Sequence, residues 1–292
     1  MRNATLILIG LFGIICCLGQ LNMAQAEIKW TGNVNPADPM SWTSSFDDGC
    51  VGQTADGTLT VNANSDFYSN KTYFGYNNGV TGEGYVDGAG STWDCMGSCY
   101  VGYSGNGAVD LSNGGHLYSY GSTLGYHSGS TGVINVDGAG SQFRDRMKIW
   151  VGRNGTGIVN VTNGGEVQSG PDGLTIDYDG DGDSFINMSS GGMLTLSTFN
   201  ATGPIDSLAD FLDLIEGTGA VRYWDDSIAD WAHISGATLG SDYTLNPMSP
   251  GMGPSARLTV LAPGPTVPEP SVLMALLGMA GCVLLRRGNR NC

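Results

Sequence analysis

Between residues 55 and 198 the chain repeats a simple pattern. A short run in which every second position is apolar is followed by a glycine-rich turn and then by one large apolar residue. The alternating pairs are Leu59/Val61, Gly84/Val86, Val109/Leu111, Ile134/Val136, Val159/Val161 and Ile186/Met188. The single residues that follow include Phe67, Trp93, Leu117, Phe143, Val167 and Leu194. A period of two places each pair on one strand face and turns Asp110, Asn135, Asn160 and Asn187 to the other. Asn-Gly, Gly-Gly and Asp-Gly steps between the runs supply the corners.

The pattern is an internal repeat. Val86-Asp87-Gly88-Ala89-Gly90-Ser91 returns as Val136-Asp137-Gly138-Ala139-Gly140-Ser141, and Asn113-Gly114-Gly115 returns as Asn163-Gly164-Gly165, each after 136 − 86 = 163 − 113 = 50 residues. Gly75-Tyr76, Gly102-Tyr103, Gly125-Tyr126 and Gly152-Arg153 divide the unit at intervals of 27, 23 and 27 residues. One coil of about 25 residues cannot bury its own apolar face, but stacked coils can, each strand pairing with its counterpart above and below at ~4.8 Å. The fold class expected is all-β, a parallel β-solenoid (β-helix) of roughly six coils and about 30 Å in length. A sandwich of antiparallel hairpins is the competing arrangement, since Asn-Gly and Asp-Gly also make hairpin turns. Solenoid ends need covers. Residues 27–54, with Trp30 and Trp42, are expected to form an N-terminal cap. Residues 199–262 are expected to form a small C-terminal α+β cap, with helical spacing over 205–216 and Trp224 and Trp231 beyond it. Pro263, Pro265, Pro268 and Pro270 make 263–270 an extended linker.

Composition agrees with a turn-dense β structure. Glycine is 47 of 292 residues, against 41% hydrophobic and 9% aromatic residues, too many core formers for a disordered chain. There are 27 acidic and 12 basic residues. Setting aside Arg2, Arg286, Arg287, Arg290 and Glu269 at the two ends leaves the body at 8 − 26 = −18. Such a body repels nucleic acid and anionic polymers, so neutral polysaccharide or divalent cations suit it better as partners.

Both ends of the chain are apolar. Residues 1–26 read as a signal peptide: Arg2, an apolar run from Ala4 to Leu18, and Ala24-Gln25-Ala26 before Glu27. At the other end Val267-Pro268-Glu269-Pro270 precedes an apolar run, 271–285, and then Arg286-Arg287-Gly288-Asn289-Arg290. As a helix that run spans roughly 22 Å, short for a ~30 Å hydrocarbon core, and the arginines would hold its end in the cytoplasm. Residues 267–290 resemble the PEP-CTERM sorting signal, with Val267, Pro268, Glu269, Pro270, Arg286 and Arg287 at the matching positions. The repeat at 55–198 is similar to the autotransporter/PEP-CTERM-associated repeats. The resemblance implies a transmembrane sorting helix at 271–285, processing by an exosortase-type enzyme near Pro268–Pro270, and a membrane-anchored precursor that ends at the cell surface or outside the cell.

Candidate chemistry is sparse. Asp177, Asp179, Asp181 and Asp183 alternate like the opening of an EF-hand calcium loop, but Met188 stands where that loop needs a bidentate glutamate. The bland alternative is an acidic corner turn. Cys50, Cys95 and Cys99 lie in the body, where export permits a Cys95–Cys99 disulfide, and neither His116 nor His127 has zinc-ligand spacing. Asp110, Arg144, Asp145, Arg146 and Lys148 are the set a polysaccharide-cleaving β-helix would use, and Tyr103, Tyr118, Tyr120, Tyr126 and Tyr178 are the aromatics a glycan binder would stack on sugars. The expectation is a non-catalytic structural or adhesive protein with no cofactor beyond candidate Ca²⁺; glycan binding or glycan cleavage is the alternative.

Overall fold

In the computed structural model of the protein, residues 27–42, 48–62, 64–197, 205–248 and 255–261 are described. The repeat folds as a succession of short strands that wind through three sheets. The first sheet has nine strands; at its centre are Gly57–Asn62, Thr81–Asp87, Asn106–Ser112, Thr131–Asp137, Thr156–Thr162 and Phe185–Met188. The second stacks Asp66–Ser69, Thr92–Cys95, His116–Ser119, Gln142–Asp145, Glu166–Gln168 and Met193–Ser197. The third stacks Gly49–Val51, Thr72–Phe74, Cys99–Val101, Ser122–Leu124, Ile149–Val151, Leu174–Ile176 and Ile215–Gly217. Each coil passes once through every sheet, and neighbouring coils pair in parallel. The hairpin sandwich is thereby excluded.

The register follows the sequence pattern. Leu59, Gly84, Val109, Ile134, Val159 and Ile186 are successive partners in the first sheet. Phe67, Trp93, Leu117, Phe143, Val167 and Leu194 are partners in the second. These rows point inward and, Gly84 aside, form the buried hydrophobic core with the third-sheet row Val51, Phe74, Val101, Leu124, Val151 and Ile176. Each such side chain contributes about 1.5–3 kcal/mol by leaving water. Volume is balanced between neighbouring coils. A Cβ on Gly84 would lie 2.7 Å from the Phe74 ring and 3.4 Å from the Trp93 ring, so the missing side chain makes room for Trp93 of its own coil and Phe74 of the coil before.

The third-sheet strands end in a left-handed residue. Gly75, Gly102, Gly125 and Gly152 have φ of 65°, 72°, 62° and 78°. A Cβ on Gly102 would sit 2.2 Å from the Thr131 carbonyl oxygen of the following coil, so glycine is required there by sterics as well as by φ.

Antiparallel strands close both ends. Glu27–Gly32 lies on Gly57–Asn62, and Val34–Asn35 lies on Gly49–Val51. Trp42, 5% exposed and 5.3 Å from Phe67, covers the remaining side. Trp30 does not share that task, because it stays 37% exposed on the outer strand. At the other end Asp230–His233 pairs with Val221–Asp225, and Ser255–Val260 pairs with Met193–Ser197.

Three boundaries differ from the sequence reading. The parallel winding begins before residue 55, because Gly49–Val51, expected within the N-terminal cap, pairs in parallel with Thr72–Phe74. The parallel winding runs past residue 198: Ile215–Gly217 pairs with Leu174–Ile176, and Val221–Asp225 with Phe185–Met188. The helix expected over 205–216 is only Leu208–Leu212, started by a Ser207/Asp210 capping box. It is short because Ile215 must extend to pair over Leu174. The cap is thus an irregular last coil, with its helix inserted between the second and third sheets. Among the described residues no helix is long and apolar enough to cross a membrane. The segments expected as signal peptide (1–26), linker (263–270) and sorting helix (271–285) lie outside the described residues.

Candidate functional site

Outward side chains meet their own counterparts one coil away, so each face carries ladders. On the first sheet Asn135 Nδ2 donates to Asp110 Oδ1 at 2.5 Å, Asn160 to Asn135 at 2.7 Å, and Asn187 to Asn160 at 3.0 Å. Every amide points the same way, and the ladder starts on the carboxylate of Asp110. Burial raises that carboxyl above its ordinary value, opposed by the Asn135 hydrogen bond and aided by nearby Glu83.

The third sheet and the turn after it carry rings. Tyr76 and Tyr103 stack at 5.0 Å, Tyr103 and Tyr126 at 4.9 Å, and Arg153 covers the next step at 4.7 Å from the Tyr126 centroid. Beside them Tyr73 stacks on Tyr100 at 4.9 Å. Further along, Trp150 receives Lys148 at 4.4 Å and the edge of Tyr178 at 5.1 Å. The faces of Tyr103 and Tyr126 are therefore occupied by neighbours, and only edges and phenol oxygens remain outward. Tyr178, 59% exposed, keeps more of its ring free. Tyr73, Tyr76, Tyr100 and Trp150 were missed by sequence reasoning, although the Gly-Tyr recurrence at 75, 102 and 125 marked the column.

The second sheet presents a charged face. Arg146 forms a two-pronged pair with Asp94 and lies over Tyr118 and Tyr120. Lys148 pairs with Glu216 at 2.5 Å. Asp145 points inward and is 1% exposed, accepting hydrogen bonds from Ser119 Oγ, Ser122 Oγ and the amides of Gly121 and Met147. Burial pushes its carboxyl up while those donors pull it down, with burial prevailing. Asp110, Arg144, Asp145, Arg146 and Lys148 therefore occupy two sheets and both sides of the wall, and they do not converge on one reacting centre.

The acidic turn gathers three of its four carboxylates. Oxygens of Asp177, Asp181 and Asp183 lie within 4.8 Å of one another, and Asp179 stands apart. Asp177 takes the left-handed corner position that glycine fills in the preceding coils, with φ 56°. Its carboxylate is buried and accepts from Gly182 N at 3.0 Å and Thr218 Oγ1 at 3.0 Å. Asp183 accepts from Thr156 and Ser184, which against its desolvation hold it below the ordinary value. The arrangement is a corner turn able to offer a hard cation three oxygens.

Val267, Pro268, Glu269, Pro270, Arg286 and Arg287 lie outside the described residues. No protein-family model matches the chain, and neither does any curated protein or solved structure.

Proposed function

We propose that the protein is an exported, non-catalytic structural or adhesive component of the cell surface or extracellular matrix, delivered by an exosortase-type system through residues 267–290. The observation that carries this reading is how the outer side chains are used. Amide, tyrosine and arginine–carboxylate ladders each find their partners one or two coils away within the same rod. A concavity of about 300 Å³ near the N-terminal end is lined by Thr31, Gly32, Asp56, Gly57, Thr58, Thr81 and Glu83. A stiff, acidic, end-capped rod suits scaffolding better than turnover. The Pro-Glu-Pro, apolar run and arginine cluster, in that order, support the destination.

Intact-mass analysis of the protein from culture medium and from washed cells tests the destination. The expected product begins at Glu27 and ends near Pro268–Pro270. A mature species that retains 271–292 removes the exosortase step. Release of reducing ends from a neutral polysaccharide by the purified rod would overturn the non-catalytic reading.

A further inference from the structure

Inside the corner between the second and third sheets, three successive coils place two small side chains opposite each other: Ser69 and Thr72, Cys95 and Cys99, Ser119 and Ser122. Strand register makes the positions equivalent, since Ser69 pairs with Cys95, and Cys99 pairs with both Thr72 and Ser122. In the coil before the cysteines the two hydroxyl oxygens meet at 2.6 Å, and in the coil after them they again meet at 2.6 Å. The cysteines occupy the same two positions with sulfur in place of oxygen. Both are wholly buried. The Cys95 thiol donates to Thr72 Oγ1 at 3.3 Å and accepts from Ser69 Oγ at 3.7 Å. Sharing its proton with Cys95, together with burial, pushes the Cys99 thiol well above its ordinary value.

Positions that bring two hydroxyl oxygens to hydrogen-bond contact bring two sulfurs, on longer bonds, within reach of an S–S bond of about 2.05 Å. We propose that Cys95 and Cys99 are oxidised to a disulfide that staples the corner of this coil, tying the second sheet to the third. Cys50 takes no part. It stands in register with Tyr73, in a different column, and burial and Asp48 push its thiol up to about 11.

The chemistry is thiol–disulfide exchange with a small disulfide oxidant such as glutathione disulfide. One cysteine thiolate attacks the oxidant, forming a mixed disulfide and releasing one glutathione thiol. The second thiolate then attacks the protein sulfur of that mixed disulfide and expels the other. Two S–H bonds are lost and one S–S bond forms, while the oxidant is reduced to two thiols that take up the two protons. Because both sulfurs are buried in the finished rod, exchange runs while the corner is still open, and the completed bond is shielded from reductant.

The test supplies its own oxidant, so its outcome is independent of export. The reduced full chain is refolded in a glutathione/glutathione-disulfide buffer, unfolded in alkylating reagent and cut with trypsin. The peptide after Lys71 and ending at Arg144 contains Cys95 and Cys99 and no other cysteine. It is expected to be unlabelled and lighter by two thiol hydrogens, and to take two labels only after reduction. Two labels without reduction, or a cross-link to the peptide that carries Cys50, overturns the proposal. The double variant C95S/C99S installs the residues of the following coil and needs no oxidant, so it controls for folding. It is expected to keep the parent circular dichroism and to melt about 3–6 °C below the oxidised chain. Equal melting temperatures would overturn the stapling role.

Discussion

Arg146 grips Asp94 across an intervening coil: Nη1 and Nη2 donate to the two carboxylate oxygens at 2.8 and 3.0 Å, over a sequence separation of 52 residues. The coil between them supplies Tyr118 and Tyr120, whose ring centroids lie 5.3 and 4.8 Å from the guanidinium carbon. One side chain thus ties three coils together, and its charge is partly shielded from water, with side-chain exposures of 29% for Arg146 and 13% for Asp94. R146A is expected to lower stability by about 1–3 kcal/mol, and R146K by nearly as much, because an ammonium cannot reproduce the fork. A double-mutant cycle with D94N in urea should give a coupling of about 1 kcal/mol or more. Strictly additive single effects would show that the pair is a surface ornament of the fold.

Tyr103 makes the parallel case for the ring column. It is stacked on one face by Tyr76 and on the other by Tyr126, and it meets the edges of Tyr73, Tyr100 and His127. Y103A is expected to cost about 2–4 kcal/mol, while Y178A, whose ring is mostly in water, stays within about 1 kcal/mol. Thermal melts of the two variants decide it, and equal effects would mean that the column is not a structural unit. Burial raises the Tyr73, Tyr85 and Tyr103 phenols above their ordinary value of 10.0. The unfolded chain loses these protons first, so the stabilisation is whole below about pH 10 and falls as pH rises through the folded values. Tyrosinate absorbance in alkali should therefore rise together with the loss of the β-sheet signal.

The rows that build the core were legible because each obeys a period set by one backbone geometry. Leu59 to Ile186 and Phe67 to Leu194 recur at matching positions of the repeat, and their partners in the sheets are the same residues. The third sheet was harder to read. Its strands are three residues long, too short to display alternation, and its coil spacing switches between 23 and 27 residues while the first sheet holds near 25. The ring column was half legible, since Gly-Tyr recurs, but Tyr73 and Tyr100 belong to those short strands. Asp145 misled in another way: its chemistry suggested a catalytic surface, whereas its register with Ser119 turns it inward. The last coil escaped because the insert carrying Leu208–Leu212 separates Ile176 from its partner Gly217 by far more than one repeat.

Asp110 offers a prediction whose sign depends on pH. It heads the amide ladder, and burial raises its carboxyl above the 3.8 of an unfolded chain. The folded state therefore holds this proton more tightly than the unfolded state. Its contribution is fully present below about pH 3.8 and is lost as pH rises through the folded value. D110N replaces the carboxyl with a neutral amide that still accepts from Asn135 and matches the rest of the ladder. The variant is expected to equal the parent in guanidinium midpoint at pH 3 and to exceed it at pH 7. A less stable variant at pH 7 would show that the charge-assisted bond from Asn135 outweighs the cost of burying the charge.

Asp177 does for its coil what Gly152 does for the one before, while adding a carboxylate that the turn uses. Two variants separate these roles. D177A keeps a side chain in the left-handed position and removes the acceptor of Gly182 N and Thr218 Oγ1; it is expected to cost about 2–3 kcal/mol. D177G relieves the backbone and loses only the acceptor, so it should cost about 1 kcal/mol less than D177A. A cation bridging Asp177, Asp181 and Asp183 would add a third effect, because it binds the folded turn and not the unfolded chain. On that account millimolar Ca²⁺ raises the melting temperature of the parent but not that of D181N/D183N, in which two oxygen donors lose their charge. A parent melting curve unchanged by Ca²⁺ would leave the carboxylates as acceptors for the turn's own donors, which is the role the hydrogen bonds of Asp177 already give them.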